Sequence, residues 1–381
     1  MNRSLIVFGE DWGGLPSSTQ HLIRHLKEDR QVIWVNSIGL RRPQLSMRDA
    51  RRVWQKLTAG RSAQATPTGG DQVPSAPVQE NNLTIIHPRT LPAPRCRLER
   101  KLARALLLRQ IQPVLESRKI EDPILWTSLP TAVDMAGHLG ESALVYYCGD
   151  DFSALAGVDH DTVARREQEL VEKANLIMAA SDKLVAKFPQ SKTRLLPHGV
   201  DYDRFATPSP RAKDLPADGK PVVGFYGSLS NWLDVDLLVS VISQLPDVHF
   251  IFIGKIETDV SRVLALPNVL HLGPRPHQEL PGYSQHWTIS MLPFLDNAQI
   301  RSCNPLKLRE YLATGRPVVS TPFPALMPYK DHVSVAVTAD EWIRAIQAAV
   351  DAPEDPARQA LVQNHTWKAR ADLLSSWLDA L

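Results

Sequence analysis

The sequence predicts an α/β chain built as two doubly wound, Rossmann-like domains facing a central cleft. Three observations carry that reading. Strand-like and helix-like segments alternate along the chain, the alternation runs through twice, and a Pro-rich polar stretch, PHGVDYDRFATPSPRAKDLPADGKP, separates the two runs. Such alternation means parallel sheets with helices on both faces. Ligands of these sheets bind outside the carboxyl ends of the strands. The expected boundaries are residues 1–200 for the first domain and 201–365 for the second. The closing amphipathic segment, residues 366–381, is expected to cross back and pack on the first domain.

In the first run the strands read SLIVFG, QVIWVN, LTIIHP, PILWTS, ALVYYC, LIMAAS and TRLLP. They are near-continuous apolar runs, as strands buried on both faces must be. STQHLIRHLKED, RLERKLARALLLRQ and HDTVARREQELVEKA supply helices between them. Residues 59–81, AGRSAQATPTGGDQVPSAPVQEN, read as a low-complexity loop. The second run gives strands at PVVGFYG, HFIFIG, VLHLG, TISMLPF, RPVVST and VSVAV, with helices at VDLLVSVISQL, NPLKLREYLAT and ADEWIRAIQAAV.

The stretch NPLKLREYLATGRPVVST carries the most chemistry. Asn304 suits an N-cap and Pro305 the first helical position. Gly315 suits a C-cap, and Pro317 forbids continuation. Leu308, Tyr311 and Leu312 share a face and should pack on the sheet. Lys307 and Glu310, three apart, share another. A helix N-terminus beside a lysine attracts phosphate, and a carboxylate one turn on can accept both hydroxyls of a ribose. An ordinary surface helix with a Lys307–Glu310 ion pair fits the same residues.

The chain has 381 residues, 43% of them hydrophobic and 22% charged, ordinary values for a globular protein of two domains. The three cysteines, Cys96, Cys148 and Cys303, are scattered and form neither a disulfide framework nor a zinc site. That pattern suits a reducing cytoplasm. No apolar run is long enough to span a bilayer, and Leu5–Phe8 is too short for a signal-peptide core. The net charge of +2 hides an asymmetry: residues 1–110 hold 18 Lys and Arg against 8 Asp and Glu. A basic half suits an anionic partner or a solvated face. Aromatic residues are not interleaved with these charges, which argues against single-stranded nucleic acid. The helix RLERKLARALLLRQIQPVL joins basic residues to leucines and fits either a membrane interface or a helix facing the sheet.

Four stretches, in order, carry a family resemblance: GEDWGGLPSS at 9–18, LLPHGVDYDRF at 195–205, VVGFYGSL at 222–229 and NPLKLREYLATGRPVVST from 304. The chain resembles GT-B glycosyltransferases, and most closely glycosyltransferase family 4 and teichuronic-acid-type transferases of bacterial surface-polysaccharide synthesis. The resemblance implies a cytoplasmic enzyme that can lie peripherally on the inner membrane face. It would move a sugar from a nucleotide-sugar donor to a saccharide or polyprenyl-diphosphate-linked acceptor. Retention of configuration, and the lack of any cofactor or metal, are implied by the resemblance as well. Glu310 matches the family's ribose-binding glutamate. Lys307 and Arg301 are placed to meet the diphosphate, and Gly227 and Ser228 let backbone approach it. Gly13 and Gly14 do so from the first domain. The family often carries a second glutamate, near the reacting sugar, where this chain has Ser302. His198 stands where the family usually has Asn, and reads as structural.

On the acceptor side the resemblance points to the strand end ALVYYCGDDFSAL, where Asp150 and then Asp151 are candidates to orient an acceptor hydroxyl or steady an oxocarbenium-like transition state. Asp151 or Ser153 could instead cap the next helix. Asp11 and Trp12 form a further pair, with Trp12 either stacking on an acceptor or packing in the core. Three rivals remain. A non-catalytic GT-B subunit that binds a partner transferase is suggested by Ser302. An NAD-type Rossmann oxidoreductase lacks its GxGxxG, since only GEDWGG follows the first strand. A nucleic-acid binder lacks any recognised motif.

Overall fold

A computed structural model describes residues 2–14, 17–38, 78–152 and 159–381. Two compact units result: Met1–Leu195 together with Ala371–Leu381, and Leu196–Arg370. The chain passes from the first unit to the second at Leu195, and the helix Trp367–Asp379 carries it from the second into the first.

In the first unit the strands are β1 (Leu5–Phe8), β2 (Val32–Val35), β3 (Val78–Glu80), β4 (Leu83–Ile86), β5 (Ile124–Thr127), β6 (Ala143–Cys148), β7 (Leu176–Ala179) and β8 (Thr193–Leu195). They form one sheet in the order β3-β4-β2-β1-β5-β6-β7-β8. Every pairing is parallel except the edge pair β3–β4. All residues of β1, β2, β6 and β7 are buried, which is why their sequences are unbroken apolar runs. The residues 59–77 of the expected loop lie outside the described residues. Val78–Glu80, its last part, are not loop but an antiparallel edge strand. Their composition is polar because an edge strand needs only its backbone to pair.

The second unit holds β9 (Val222–Tyr226), β10 (His249–Ile253), β11 (Val269–His271), β12 (Ile289–Leu292), β13 (Val318–Ser320) and β14 (Ser334–Val335). They pair in parallel in the order β11-β10-β9-β12-β13-β14, so β9 lies inside the sheet. Trp287 is fully buried. Gly224, in β9, makes room for it: a Cβ there would sit 1.8 Å from the indole. The glycine of the VVGFYG strand is thus a packing requirement. Helix Leu306–Ala313 buries Leu308, Tyr311 and Leu312, as their spacing predicts.

The segment before the second sheet is anchored by its own unit. Val200 donates its amide to the His365 carbonyl at 2.8 Å. Gly199 approaches Trp367 so closely that a Cβ would lie 2.7 Å from its backbone nitrogen. His198 is buried with its ring beside that of Trp367.

Candidate functional site

The carboxyl end of β9 brings Gly227, Lys307 and Glu310 together. β9 runs directly into Gly227, whose φ of +132° suits only glycine. The Gly227 amide donates to the Ile253 carbonyl at 2.8 Å, from the end of the neighbouring β10. Gly254 follows β10 with φ +148°, and a Cβ there would lie 1.9 Å from the Gly227 oxygen. Two adjacent strands therefore end in glycines that touch. Lys307 lies over this junction: a Cβ on Gly227 would meet its Cε at 2.9 Å.

Lys307 and Glu310 do not pair. No carboxylate among the described residues lies within ion-pair distance of Lys307. Its amine is instead held near the faces of Phe225 and Phe294, at 5.4 and 5.7 Å from the ring centroids. Burial pushes its pKa down, partly offset by the Glu310 charge. Glu310 is 8% exposed and spends both oxygens on other partners. The Tyr226 hydroxyl donates to Oε2 at 2.6 Å, and His277 Nε2 stands 2.7 Å from Oε1. Tyr226 is fixed in turn, its amide donating to the Tyr311 hydroxyl at 3.0 Å. The surface-pair alternative for this helix is therefore corrected. The tertiary partners Tyr226 and His277 reach the carboxylate in preference to a lysine one turn back.

The N-terminus of this helix also differs from expectation. Pro305, not Asn304, occupies the N-cap position. Arg309 donates to Asn304 Oδ1 at 2.6 Å, so that oxygen is turned to a side chain and not to the helix amides. Gly315 does follow the last turn, with φ +76° and its amide on the Leu312 carbonyl at 3.0 Å.

Arg301 stands on a separate short helix, Ala298–Ser302, and is exposed. Asp296 takes it bidentately, at 2.5 and 2.6 Å. Ser302, at the family's first-glutamate position, is 1% exposed and donates to the Ala298 carbonyl at 2.9 Å. Ser228 is half-buried just after Gly227.

In the first unit the loop after β1 is clamped by its neighbours. Gly13, at φ +79°, donates its amide to Gln20 Oε1 at 3.0 Å, and Gly14 donates to the Asp11 carbonyl at 3.1 Å. Asp11 Oδ1 accepts from the Ser37 amide at 3.2 Å. The Trp12 amide donates to Asn36 Oδ1 at 3.0 Å. The Trp12 ring meets Trp34 edge-on at 4.8 Å and lies under Arg24 and Lys27. Those contacts favour packing for Trp12. Glu10, not singled out in the sequence, is the more buried acid here. Burial pushes its carboxyl up, against hydrogen bonds that include one from Gln20.

At the end of β6, Asp150 is exposed, and its carbonyl accepts from the Cys148 thiol at 3.2 Å. Asp151 is held by Lys187 at 3.1 Å. The same lysine pairs with Glu167 at 2.7 Å, and Glu167 accepts from the Tyr146 hydroxyl at 2.7 Å. Asp151 therefore belongs to an ion network. Asp159, not Asp151, caps the following helix, His160–Lys173. Ser153 lies outside the described residues.

Tyr226 and His277 are the site residues that sequence reasoning missed. Tyr226 directly precedes Gly227, and its place at a strand end was a usable signal. His277 sits in the loop GPRPHQEL, where nothing in the periodicity marks it.

Two α/β units, each built on a mainly parallel sheet, match the GT-B fold. Residues 220–352 match the family described as Glycosyl transferases group 1. A putative teichuronic acid biosynthesis glycosyltransferase of Bacillus subtilis, TuaH, is 28% identical over 245 residues. That alignment covers 59% of this chain and 62% of the relative's own length. Solved structures share the fold at low identity. Anabaena HepE, in complex with UDP and glucose, superposes with a TM-score of 0.65 at 15% identity over 100% of both chains. Sucrose-phosphate synthase from Thermosynechococcus elongatus gives 0.68 at 15%, over 99% of this chain and 98% of that one. A UDP-forming trehalose-phosphate synthase from Burkholderia xenovorans gives 0.67 at 15%, over 99% of each. The family match and the relative support the resemblance to glycosyltransferases read from the motifs, and the solved structures support the GT-B fold.

Proposed function

We propose that this chain transfers a sugar from a nucleotide-sugar donor to a saccharide or lipid-linked saccharide acceptor in the synthesis of a bacterial surface polysaccharide. The observation that carries the proposal is the junction at the end of β9. The touching glycines Gly227 and Gly254 clear backbone for a diphosphate, and Lys307 lies over them without a carboxylate partner. Glu310 waits one turn on as the ribose acceptor. A buried carboxylate already bonded by Tyr226 and His277 is preorganised to take up hydroxyl donors in exchange.

The leaving diphosphate would be neutralised by Lys307 and the helix N-terminus, with no cofactor and no metal, and configuration would be retained. Arg301 would have to leave Asp296 to contribute. Asp150 is the first acceptor-side candidate, because its side chain is exposed at a strand end whereas Asp151 is paired. UDP-sugars are the first donors to test, since HepE and the trehalose-phosphate synthase are described with UDP or as UDP-forming. Work at the inner face of the membrane, with a polyprenyl-diphosphate-linked acceptor, fits the likeness to the teichuronic-acid relative. The contact proposed there is peripheral; among the described residues no helix is long and apolar enough to cross a bilayer.

The test is nucleotide release from a panel of UDP-, GDP- and dTDP-sugars with a lipid extract as acceptor, for wild type beside Glu310→Ala, with and without chelator. Consumption of one donor that survives chelation and is lost in the variant is the expected result. A nucleotide that raises the melting temperature without turnover would favour the non-catalytic subunit, for which the buried Ser302 already speaks. No binding of any nucleotide would overturn the reading.

A further inference from the structure

Away from the donor residues, the first unit carries a cavity of about 170 Å³ whose wall holds five arginines, Arg95, Arg97, Arg100, Arg165 and Arg166, together with Thr162 and Glu169. Drug-sized ligand sites begin at about 300 Å³, so this one suits a small group and not a second nucleotide. The cavity lies where two helices begin. Arg97 is the first residue of helix Arg97–Arg118, and Thr162 stands in the first turn of helix His160–Lys173. Arg95 joins the two starts, since it pairs at 2.5 Å with Asp159, the N-cap of the second helix. The dipole of its helix opposes a cation at the position of Arg97, and an anion facing that guanidinium would remove the conflict.

The carboxylates that touch these arginines do not balance them. Arg100 is held by Asp134, 2.7 Å from its Nε, and by Glu169 at 2.5 Å. Arg166, 6% exposed, is held by the same Glu169 at 2.7 Å and donates to the Pro94 carbonyl at 3.3 Å. Asp134, Asp159 and Glu169 thus set three negative charges against five positive ones, and two positive charges are left over. The surplus falls on Arg97 and Arg165, which are exposed and have no carboxylate partner among the described residues. Arg165 spends its Nε on the Asp161 carbonyl at 3.0 Å, which leaves its terminal nitrogens available. A phosphate monoester carries about −1.5 to −2 charges at neutral pH and three strong acceptor oxygens. It matches both the surplus of two and the forked donors, whereas a carboxylate would neutralise only one of the two charges.

We infer that this cavity is a binding site for a dianionic phosphate group, gripped by Arg97 and Arg165 and separate from the diphosphate site proposed at Gly227 and Lys307. The phosphate is either free in solution or carried by a small saccharide; the recognising chemistry is the same. The inference rests on residues of the first unit alone and does not need the donor reading.

The test is titration calorimetry of the full chain with inorganic phosphate, glucose 1-phosphate and acetate at constant ionic strength. Wild type should bind the phosphates, and acetate about tenfold more weakly. A charge-assisted hydrogen bond contributes about tenfold in affinity, so Arg97→Ala with Arg165→Ala should weaken phosphate binding by about a hundredfold. Arg97→Lys with Arg165→Lys keeps the charges but not the forks, and should recover part of that loss. Phosphate binding in this cavity should be unchanged by Lys307→Ala and by Arg262→Ala, at an exposed arginine of the second unit. It should weaken as the pH is lowered below about 6, where a phosphate monoester takes up its second proton. Melting temperatures measured without phosphate show that each variant is folded. Equal affinities for the two phosphates assign the site to free phosphate, and a sugar phosphate bound about tenfold tighter assigns it to a phosphosaccharide; both uphold the inference. No binding of millimolar phosphate by wild type would overturn it. So would binding that survives the arginine pair and is lost in Lys307→Ala or in neither. The nucleotide-dependent melting shift should persist in the arginine variants; its absence already in wild type would count against the donor reading and leave the phosphate result standing.

Discussion

Replacing Tyr226 by phenylalanine removes a single hydroxyl from the most connected part of the candidate donor site. That hydroxyl is buried and donates at 2.6 Å to Glu310 Oε2. A hydrogen bond to a charged group contributes about 1.5–3 kcal/mol, against about 0.5–1.5 kcal/mol for a neutral pair. Tyr226→Phe should therefore cost the second unit about 2 kcal/mol, or roughly 4–8 °C in melting temperature for a unit of this size. In a Glu310→Gln background the same change should cost only about 1 kcal/mol, because the charge that strengthens the bond is gone. The double-mutant cycle, read by urea unfolding of all four proteins, should give a coupling of about 1 kcal/mol. Equal losses in both backgrounds would refute the reasoning and mean that Glu310 is not charged at this site, or not held by Tyr226.

Gly227→Ala forces an L-residue to φ +132° and sets a Cβ 2.9 Å from Lys307 Cε. The far end of a lysine can move, so calorimetry should show nucleotide affinity falling more steeply than stability. Gly224→Ala meets the buried indole of Trp287 at 1.8 Å and has no such escape. It should cost several kcal/mol or prevent folding, seen as loss of the cooperative melting transition. His365 is held neutral by burial and by the nearby charges of Arg370 and Arg309, its pKa pushed down to about 4. A group with a depressed folded pKa is favourable above its unfolded value of 6.5 and unfavourable below it. Stability should thus fall between pH 6.5 and 4 by about 1–2 kcal/mol after discounting for partial exposure, and His365→Gln should flatten that part of the pH profile.

Local pattern made the two sheets legible. A strand buried on both faces is written as an unbroken apolar run, and β1, β2, β6 and β7 are all of this kind. β3 escaped because an edge strand carries no such run. At the site, the sequence placed Lys307 and Glu310 on one helix beside a strand–glycine turn, and the structure does gather them at β9. It could not tell which side chain holds Glu310, because Tyr226 and His277 approach from positions 84 and 33 residues away in the chain. Asn304 illustrates the same limit. Its cap propensity is real, yet Arg309 takes its oxygen.

The last eleven residues of the sequence belong to the first unit, not the second. Arg30 is 2% exposed and spends one nitrogen on Ser375 Oγ at 2.5 Å and Asp379 at 3.1 Å, while Arg3 reaches the Leu378 carbonyl at 3.0 Å. During synthesis, therefore, the first half of the protein emerges long before the piece that completes it. Until residues 371–381 leave the ribosome, the Arg30 guanidinium has neither of these partners. The residues of the second unit are all in hand by Arg370, before the last of those assigned to the first have been made.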